Sequence, residues 1–146
     1  MVRVLATGTF DLLHPGHLLY LSEARALGDE LYVIVARESM IKHKQKPVVP
    51  EEQRLEMVQA LRIVDKAMLG SKIDIFEPLC EIRPDIIALG ANQFFKEKDL
   101  EAQLRVHGID AKVIRIKSFR HCDLCSSAAI MRKVSERDRK YPPALS

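Results

Sequence analysis

Two spacings of apolar residues alternate along the chain. Val2 to Ala6 is a short apolar run with Arg3 as its only charge, the pattern of a buried strand. Leu18, Leu21, Ala24 and Ala26-Leu27 then recur at helical intervals, with Glu23, Arg25 and Asp29 between them. Glu30 to Ala36 predicts a second strand, and the polar, basic residues 37–50 predict a loop. Pro50-Glu51-Glu52 is a helix start with acidic residues in its first turn, followed by Leu55, Val58 and Leu61 on one face. Ile63 to Leu69 is a strand interrupted by Asp65 and Lys66. A helix over Ile73 to Ile82 stops before Arg83-Pro84, because a residue preceding proline leaves the helical region. Asp85 to Leu89 predicts a strand closed by Gly90, Phe94 to Val106 an amphipathic helix, Lys112 to Ile116 a strand and Ser126 to Val134 a helix. Ser135 onward, with Pro142-Pro143, reads as a loose tail, so the domain is drawn at 1–137 with 138–146 as its tail.

Five strands alternating with helices predict an α/β fold, a single Rossmann-like domain with a five-stranded parallel sheet in the order 3-2-1-4-5. Ligands in such sheets bind beyond the carboxyl ends of the strands, where the order reverses. That rule places the residues after strand one beside Gly90-Ala91-Asn92.

The connection after strand one is Thr7-Gly8-Thr9-Phe10-Asp11-Leu12-Leu13-His14-Pro15-Gly16-His17. A helix opening at Gly16-His17 aims free N–H groups and its positive dipole end into this turn, a ready anion site. His14 and His17 flank the same spot, and each can donate a hydrogen bond to a phosphate oxygen. Two histidines alone make no zinc site, and the glycine between them serves close phosphate approach.

Composition narrows the classes. The chain of 146 residues fits one domain. Its charge of +3, from 23 basic and 20 acidic residues, is too mild for a nucleic-acid binder. No aromatic platform interleaves the basic residues, so no nucleic acid is expected as a partner. No apolar run is long enough to span a membrane, and no signal peptide precedes the first strand. The three cysteines predict no disulfide framework and a cytoplasmic location. Cys122 and Cys125 are expected to shape a loop, and Cys80, on one helical face with Phe76, to lie in the core.

GTFDLLHPGH resembles the signature of the HxGH nucleotidyltransferase superfamily, most closely its cytidylyltransferase branch. Further marks are Lys42-His43-Lys44-Gln45-Lys46-Pro47, Pro50-Glu51-Glu52-Gln53-Arg54, Pro84 to Gly90, and Cys125-Ser126-Ser127 before a helix carrying Arg132. This combination looks like the archaeal FAD synthases, which join an adenylyl group from ATP to FMN. The resemblance implies catalytic roles for His14, His17, Lys44, Lys46 and Arg132, without choosing between the two lysines. It implies nucleotide contacts from Thr9, Phe10, His14, Pro15, Gly16, His17, Asn92, Phe119, Ser126 and Ser127. A divalent cation, Mg2+, and a homodimer are implied in the same way, with no side chain assigned as a metal ligand. Arg54 is read either as part of this set or as a surface residue, and Asp11 as a carboxylate that positions the turn.

The sequence departs from the pattern in two places. Ala128 and Ala129 stand where a Thr and a basic residue are common, and Ala91-Asn92 stand where an aromatic residue and Asp are usual. The expected reaction is AMP transfer from ATP to FMN. The alternatives are cytidylyl transfer from CTP to glycerol phosphate or a similar ester, and nucleotide binding without turnover. Phe94, Phe95 and Phe119 are candidates for an apolar wall against a flavin ring.

Overall fold

The computed structural model describes residues 1–42 and 44–144. His43 of the basic loop and the last two residues of the expected tail lie outside the described residues. Five parallel strands carry the fold: β1 (Arg3–Gly8), β2 (Glu30–Val35), β3 (Lys66–Leu69), β4 (Ile86–Leu89) and β5 (Lys112–Arg115). Their order is β3-β2-β1-β4-β5, the order expected from the sequence. The connections hold α1 (Pro15–Ala26), α2 (Glu51–Gln59), α3 (Glu77–Ile82) and α4 (Glu97–Val106), and α5 (Ser127–Lys140) follows the last strand.

Alternate residues of the central strands face opposite layers. Val4 and Ala6 pack with Leu21 and Ala24 of α1 and Val58 of α2. Leu5 and Ile87 pack with Leu79 and Ile82 of α3 and Leu100 and Leu104 of α4. This is the arrangement that right-handed crossovers produce when the strand order reverses.

β1 is in register with β2 from Arg3↔Glu30 to Gly8↔Val35, but with β4 only from Val4↔Ile86 to Ala6↔Ala88. Beyond Ala6 the strands part, and side chains take over from the ladder. The Thr7 N–H donates to the Tyr20 hydroxyl at 3.3 Å, and that hydroxyl donates to the Ala88 carbonyl at 2.6 Å. Gln93 Nε2 donates to the Thr7 carbonyl at 3.0 Å, while its Oε1 accepts from the Gly90 N–H at 2.8 Å. The gap is therefore held open with its polar groups satisfied.

Several element bounds differ from the sequence expectation, for local reasons. α3 begins at Glu77 rather than Ile73 because Ser71 Oγ accepts from the N–H groups of Ile73 and Asp74, and Asp74 Oδ1 accepts from that of Phe76. Such side-chain turns compete with the helix. α4 begins at Glu97 rather than Phe94 because Arg115 gathers the carbonyls of Gly90, Gln93 and Phe95 into a loop. α5 runs on to Lys140, through residues expected as tail, and stops before Pro142. Two cysteine expectations are corrected. Cys80 is exposed, because the short α3 turns Leu79 and Ile82 inward instead. Cys122 and Cys125 form a disulfide with Cα atoms 5.4 Å apart, a separation that such bonds span without backbone movement. No helix among the described residues is long and apolar enough to cross a membrane.

The hydroxyl of Tyr20 gives a direct test of the strand junction. Burial raises its pKa, so it serves there as a neutral O–H. Tyr20→Phe should destabilise the fold by about 1–2 kcal/mol, since it strands two backbone groups. In a thermal melt that is a fall of roughly 2–8 °C. An unchanged melt would show that the bridge contributes nothing to stability.

Candidate active site

The turn after β1 and the start of α1 share one set of hydrogen bonds. His14 is the N-cap of α1, and Pro15 occupies the first turn, where its missing N–H costs nothing. His14 Nδ1 accepts from the Gly16 N–H at 3.1 Å, and His17 Nδ1 accepts from the His14 N–H at 3.3 Å. This is a capping box built from two imidazoles. It also decides their tautomer. A ring nitrogen that accepts carries no proton, so in each neutral ring the hydrogen sits on Nε2.

The two rings stack with centroids 3.8 Å apart, and the Phe10 ring lies 5.3 Å from that of His17. Burial lowers the pKa of His14. That of His17 is lowered to about 4, chiefly by burial and then by His14 and Lys44, against an opposing pull from Asp11. Both rings are therefore neutral at pH 7, and each presents one Nε2–H donor beside the start of α1.

Glycine is required where the backbone is crowded. A Cβ on Gly16 would lie 2.8 Å from the His14 ring and 3.1 Å from the Cys125 carbonyl oxygen. A Cβ on Gly8 would lie 2.8 Å from the Phe10 ring. Phe10, at φ 55°, turns the chain sharply and buries its ring in the core.

α5 docks onto the same turn. Ser126 is its N-cap, accepting from the Ala129 N–H at 3.0 Å. Ser127 Oγ donates to the Leu12 carbonyl at 3.3 Å and faces the Leu12 N–H at 3.4 Å. With Cys125 against Gly16, the first turn of α5 stands beside that of α1.

The basic loop is anchored at both ends. At its start, Arg37 Nε donates to the Gly70 carbonyl at 2.5 Å, and Nη1 pairs with Glu51 at 2.9 Å. At its end, Asp11 accepts from the N–H groups of Val48 and Val49, at 3.0 and 2.8 Å. Arg54 Nε donates to the Val49 carbonyl at 2.9 Å, and its Nη1 to Thr9 and Ala36 at 2.7 and 2.8 Å. Arg54 is buried, at 1 % exposure, and its Nη2 has no partner among the described residues. It is no surface residue: it ties the β1 turn, the end of β2 and the loop together. Between the anchors, Lys44 lines a cavity with Thr7, Gly8 and Thr9, whereas Lys46 Nζ donates to the Glu38 carbonyl at 2.7 Å.

The remaining predicted residues stand further out. Arg132 shares a polar hollow with Asp123 and Glu136. Asn92 is exposed on the loop after β4, and Phe119 is 58 % exposed on the loop after β5. Tyr20, Gln93 and Arg115 were not singled out by the sequence reading. None lies in a motif, and only the approach of β1 to β4 gives them their partners. No cluster of three His, Cys, Asp or Glu side chains among the described residues could hold a metal ion.

The cytidylyltransferase-like family matches residues 5–133, a span that contains the whole of this site. The chain belongs to that family. Among the relatives of this cytidylyltransferase-like chain, the FAD synthase of Methanohalophilus mahii is 59% identical over 139 residues, covering 95% of this chain and 98% of its own. That of Methanococcoides burtonii is 62% identical over 137 residues, covering 94% and 96%. The crystal structure of a lipopolysaccharide core biosynthesis protein from Thermoplasma volcanium is similar at a TM-score of 0.79 and 43% identity, over 83% of this chain and 99% of that one.

The depressed histidine makes the family turn acid-sensitive. His17 titrates near 6.5 when unfolded and at about 4 when folded. Between those values the unfolded chain holds a proton that the folded chain does not. Stability is therefore full above about pH 6.5 and falls as the pH drops toward 4. Denaturant unfolding at about pH 7 and about pH 5 should show this loss, and His17→Asn should shrink it. An equal loss in the variant would place the acid sensitivity elsewhere.

Proposed function

We propose that the chain transfers AMP from ATP to FMN, giving FAD and pyrophosphate. The observation that carries the chemistry is the pair of Nε2–H donors at the N-terminus of α1. The acceptor and the base rest on likeness to FAD synthases along nearly the full length of both chains.

In the reaction an oxygen of the FMN phosphate attacks the α-phosphorus of ATP. The new P–O bond forms as the bond to the departing pyrophosphate breaks, and the electron pair leaves with pyrophosphate. The attacking phosphate is already ionised, so no side chain needs to act as base. The protein's task is alignment and charge stabilisation. His14 and His17 donate from Nε2 to oxygens at the reacting phosphorus, with the α1 dipole behind them. Lys44 reaches the β- and γ-phosphates from the basic loop, which acts as a lid, while Lys46 braces that loop. Ser126, Ser127 and the free N–H groups of α5 receive the far end of the triphosphate, with Arg132 beyond them.

A divalent cation, Mg2+, completes the proposal by neutralising phosphate charge. Mg2+ is commonly held through substrate phosphates with few protein ligands, so its binding would not require a protein cluster of the kind absent among the described residues. Thr9, Phe10, Pro15 and Gly16 contact the nucleotide through the turn, and Asn92 and Phe119 flank its base. A cytoplasmic location and a homodimer belong to the same reading. Support for the dimer is α5, which carries Ile130, Met131 and Val134 yet buries no residue.

ATP, FMN and magnesium should yield FAD and pyrophosphate, with falling flavin fluorescence as adenine stacks on the ring. CTP with glycerol phosphate should yield much less, and the reverse preference would overturn the assignment of acceptor and base. His14→Ala and His17→Ala should each lower kcat roughly 100-fold or more, the usual cost of removing one oxyanion donor. Near-normal turnover in both variants would remove the histidines from the mechanism. Lys44→Ala should raise the KM for ATP more than Lys46→Ala does, and equal effects would leave both lysines as braces.

A further inference from the structure

Gln93 stands between two backbone groups that are complementary to each other. Its Oε1 accepts from the Gly90 N–H at 2.8 Å. Its Nε2 donates to the Thr7 carbonyl at 3.0 Å and to the Thr7 hydroxyl at 3.2 Å. The N–H follows the end of β4 and the carbonyl lies at the end of β1, so the amide is a spacer set where those strands part. The main chain of Gln93 is held from the opposite side. Arg115 Nη1 on β5 donates to the Gln93 carbonyl at 2.9 Å and to the Gly90 carbonyl at 3.0 Å. The loop after β4 is thereby strung from β1 to β5 across the crevice, with Asn92 one residue from its fixed point.

Resting on the function proposed above, we infer that Gln93 is a positioning residue: its side-chain amide sets the width of the crevice, so that the nucleotide between Asn92 and the turn after β1 meets the histidines in line. Three observations select this role. A glutamine amide carries donors and an acceptor on one planar group, and this position uses both ends. Tyr20 already serves the Thr7 N–H and the Ala88 carbonyl, so the strand junction is closed below without Gln93, which adds the spacing above it. Gln93 also lines one cavity with Thr7, Gly8, Thr9 and Lys44, so a change in its length is felt where the substrate lies. Without the amide, the Gly90 N–H and the Thr7 carbonyl can approach each other, which narrows the gap. The side chain therefore governs placement more than stability.

Two substitutions separate those effects. Gln93→Ala removes the spacer. Gln93→Glu keeps its shape and makes it depend on protonation. A protonated carboxyl still donates to Thr7 and accepts from Gly90, whereas an ionised one sets a negative oxygen against the Thr7 carbonyl. The Thr7 hydroxyl can serve either form. The charged and titratable groups around this position are Arg37 and Lys44 in the same cavity, Arg115 on the loop, and Tyr20 beside Thr7. Tyr20 is neutral, and Arg37 and Arg115 are paired with Glu51 and Glu97. Burial and the carbonyl therefore outweigh the cations and favour the protonated form.

Wild type and variants are compared at about pH 6 and about pH 8, at a temperature where melts show each of them folded. At the higher pH, kcat/KM for ATP should fall about tenfold or more in both variants. At the lower pH, Gln93→Glu should regain about threefold or more relative to the wild type, and Gln93→Ala should not. Calorimetric titration with ATP and magnesium, without FMN, reads the same placement independently of the acceptor. If FAD is made and Gln93→Ala keeps the wild-type kcat/KM, the positioning role is wrong while the function stands. An equal loss in Gln93→Glu at both pH values overturns the role too, because the amide's hydrogen bonds are then not its cause. Gln93→Glu matching the wild type at both pH values while Gln93→Ala fails supports the role, with the carboxyl protonated throughout. If the wild type makes no FAD, the calorimetric affinities decide. A weaker ATP affinity of Gln93→Glu at the higher pH that recovers at the lower keeps the role and removes the function. An affinity unchanged or lowered equally at both removes the role as well.

Discussion

The backbone of β1 beyond Ala6 keeps a strand on one side only, and the rest of the structure answers that constraint. Thr7 and Gly8 stay in register with β2 while β4 falls away, which would leave buried polar groups without partners. Tyr20 and Gln93 supply them, one from α1 and one from the loop after β4. The gap between neighbouring strands thus becomes a crevice rather than a collapsed seam. Arg115 works one step further out, holding the carbonyls that shape the far wall.

The histidines answer the same need for satisfied backbone, and their chemistry follows from it. Their Nδ1 atoms are used in capping α1, which leaves Nε2–H as the group each can offer a ligand. Neutral imidazoles suit this position. A protonated ring would surrender its cap, repel its stacked neighbour and be poorly solvated. The cap and the Nε2–H donors depend on one protonation state, so acid that protonates His17 also weakens the turn.

Around the crevice the segments that must stay in place are tied from more than one direction. The basic loop hangs from Arg37 at one end and from Asp11 and Arg54 at the other. Arg54 carries a real cost for this, since burial lowers its pKa and one of its nitrogens lacks a partner among the described residues. A guanidinium reaching three carbonyls from separate segments is worth that cost only where relative placement matters. Thr7, Gly8 and Thr9 line a cavity with Ile34, Leu79 and Leu89 and lead directly into the turn whose two imidazoles cap α1.

The strand order, the parallel sheet and the position of the crevice were legible in the sequence, because apolar spacing and right-handed crossovers leave few alternatives for five strands and their helices. The turn with its two histidines was legible too, since its chemistry lies within eleven consecutive residues. Bounds that depend on competition were not. Ser71, Asp74 and Arg115 delay two helices through contacts that apolar periodicity does not register, and α5 continues where charge and proline suggested a tail. Arg54 reads from sequence as an ordinary residue on the first turn of a helix. Its burial, the bridge through Tyr20 and Gln93, and the placing of Phe95 rather than Phe94 or Phe119 on the cavity beside Thr7 all arise between segments distant along the chain. Local pattern determines which elements form and which residue types are at hand. Only tertiary packing decides which of their polar groups meet.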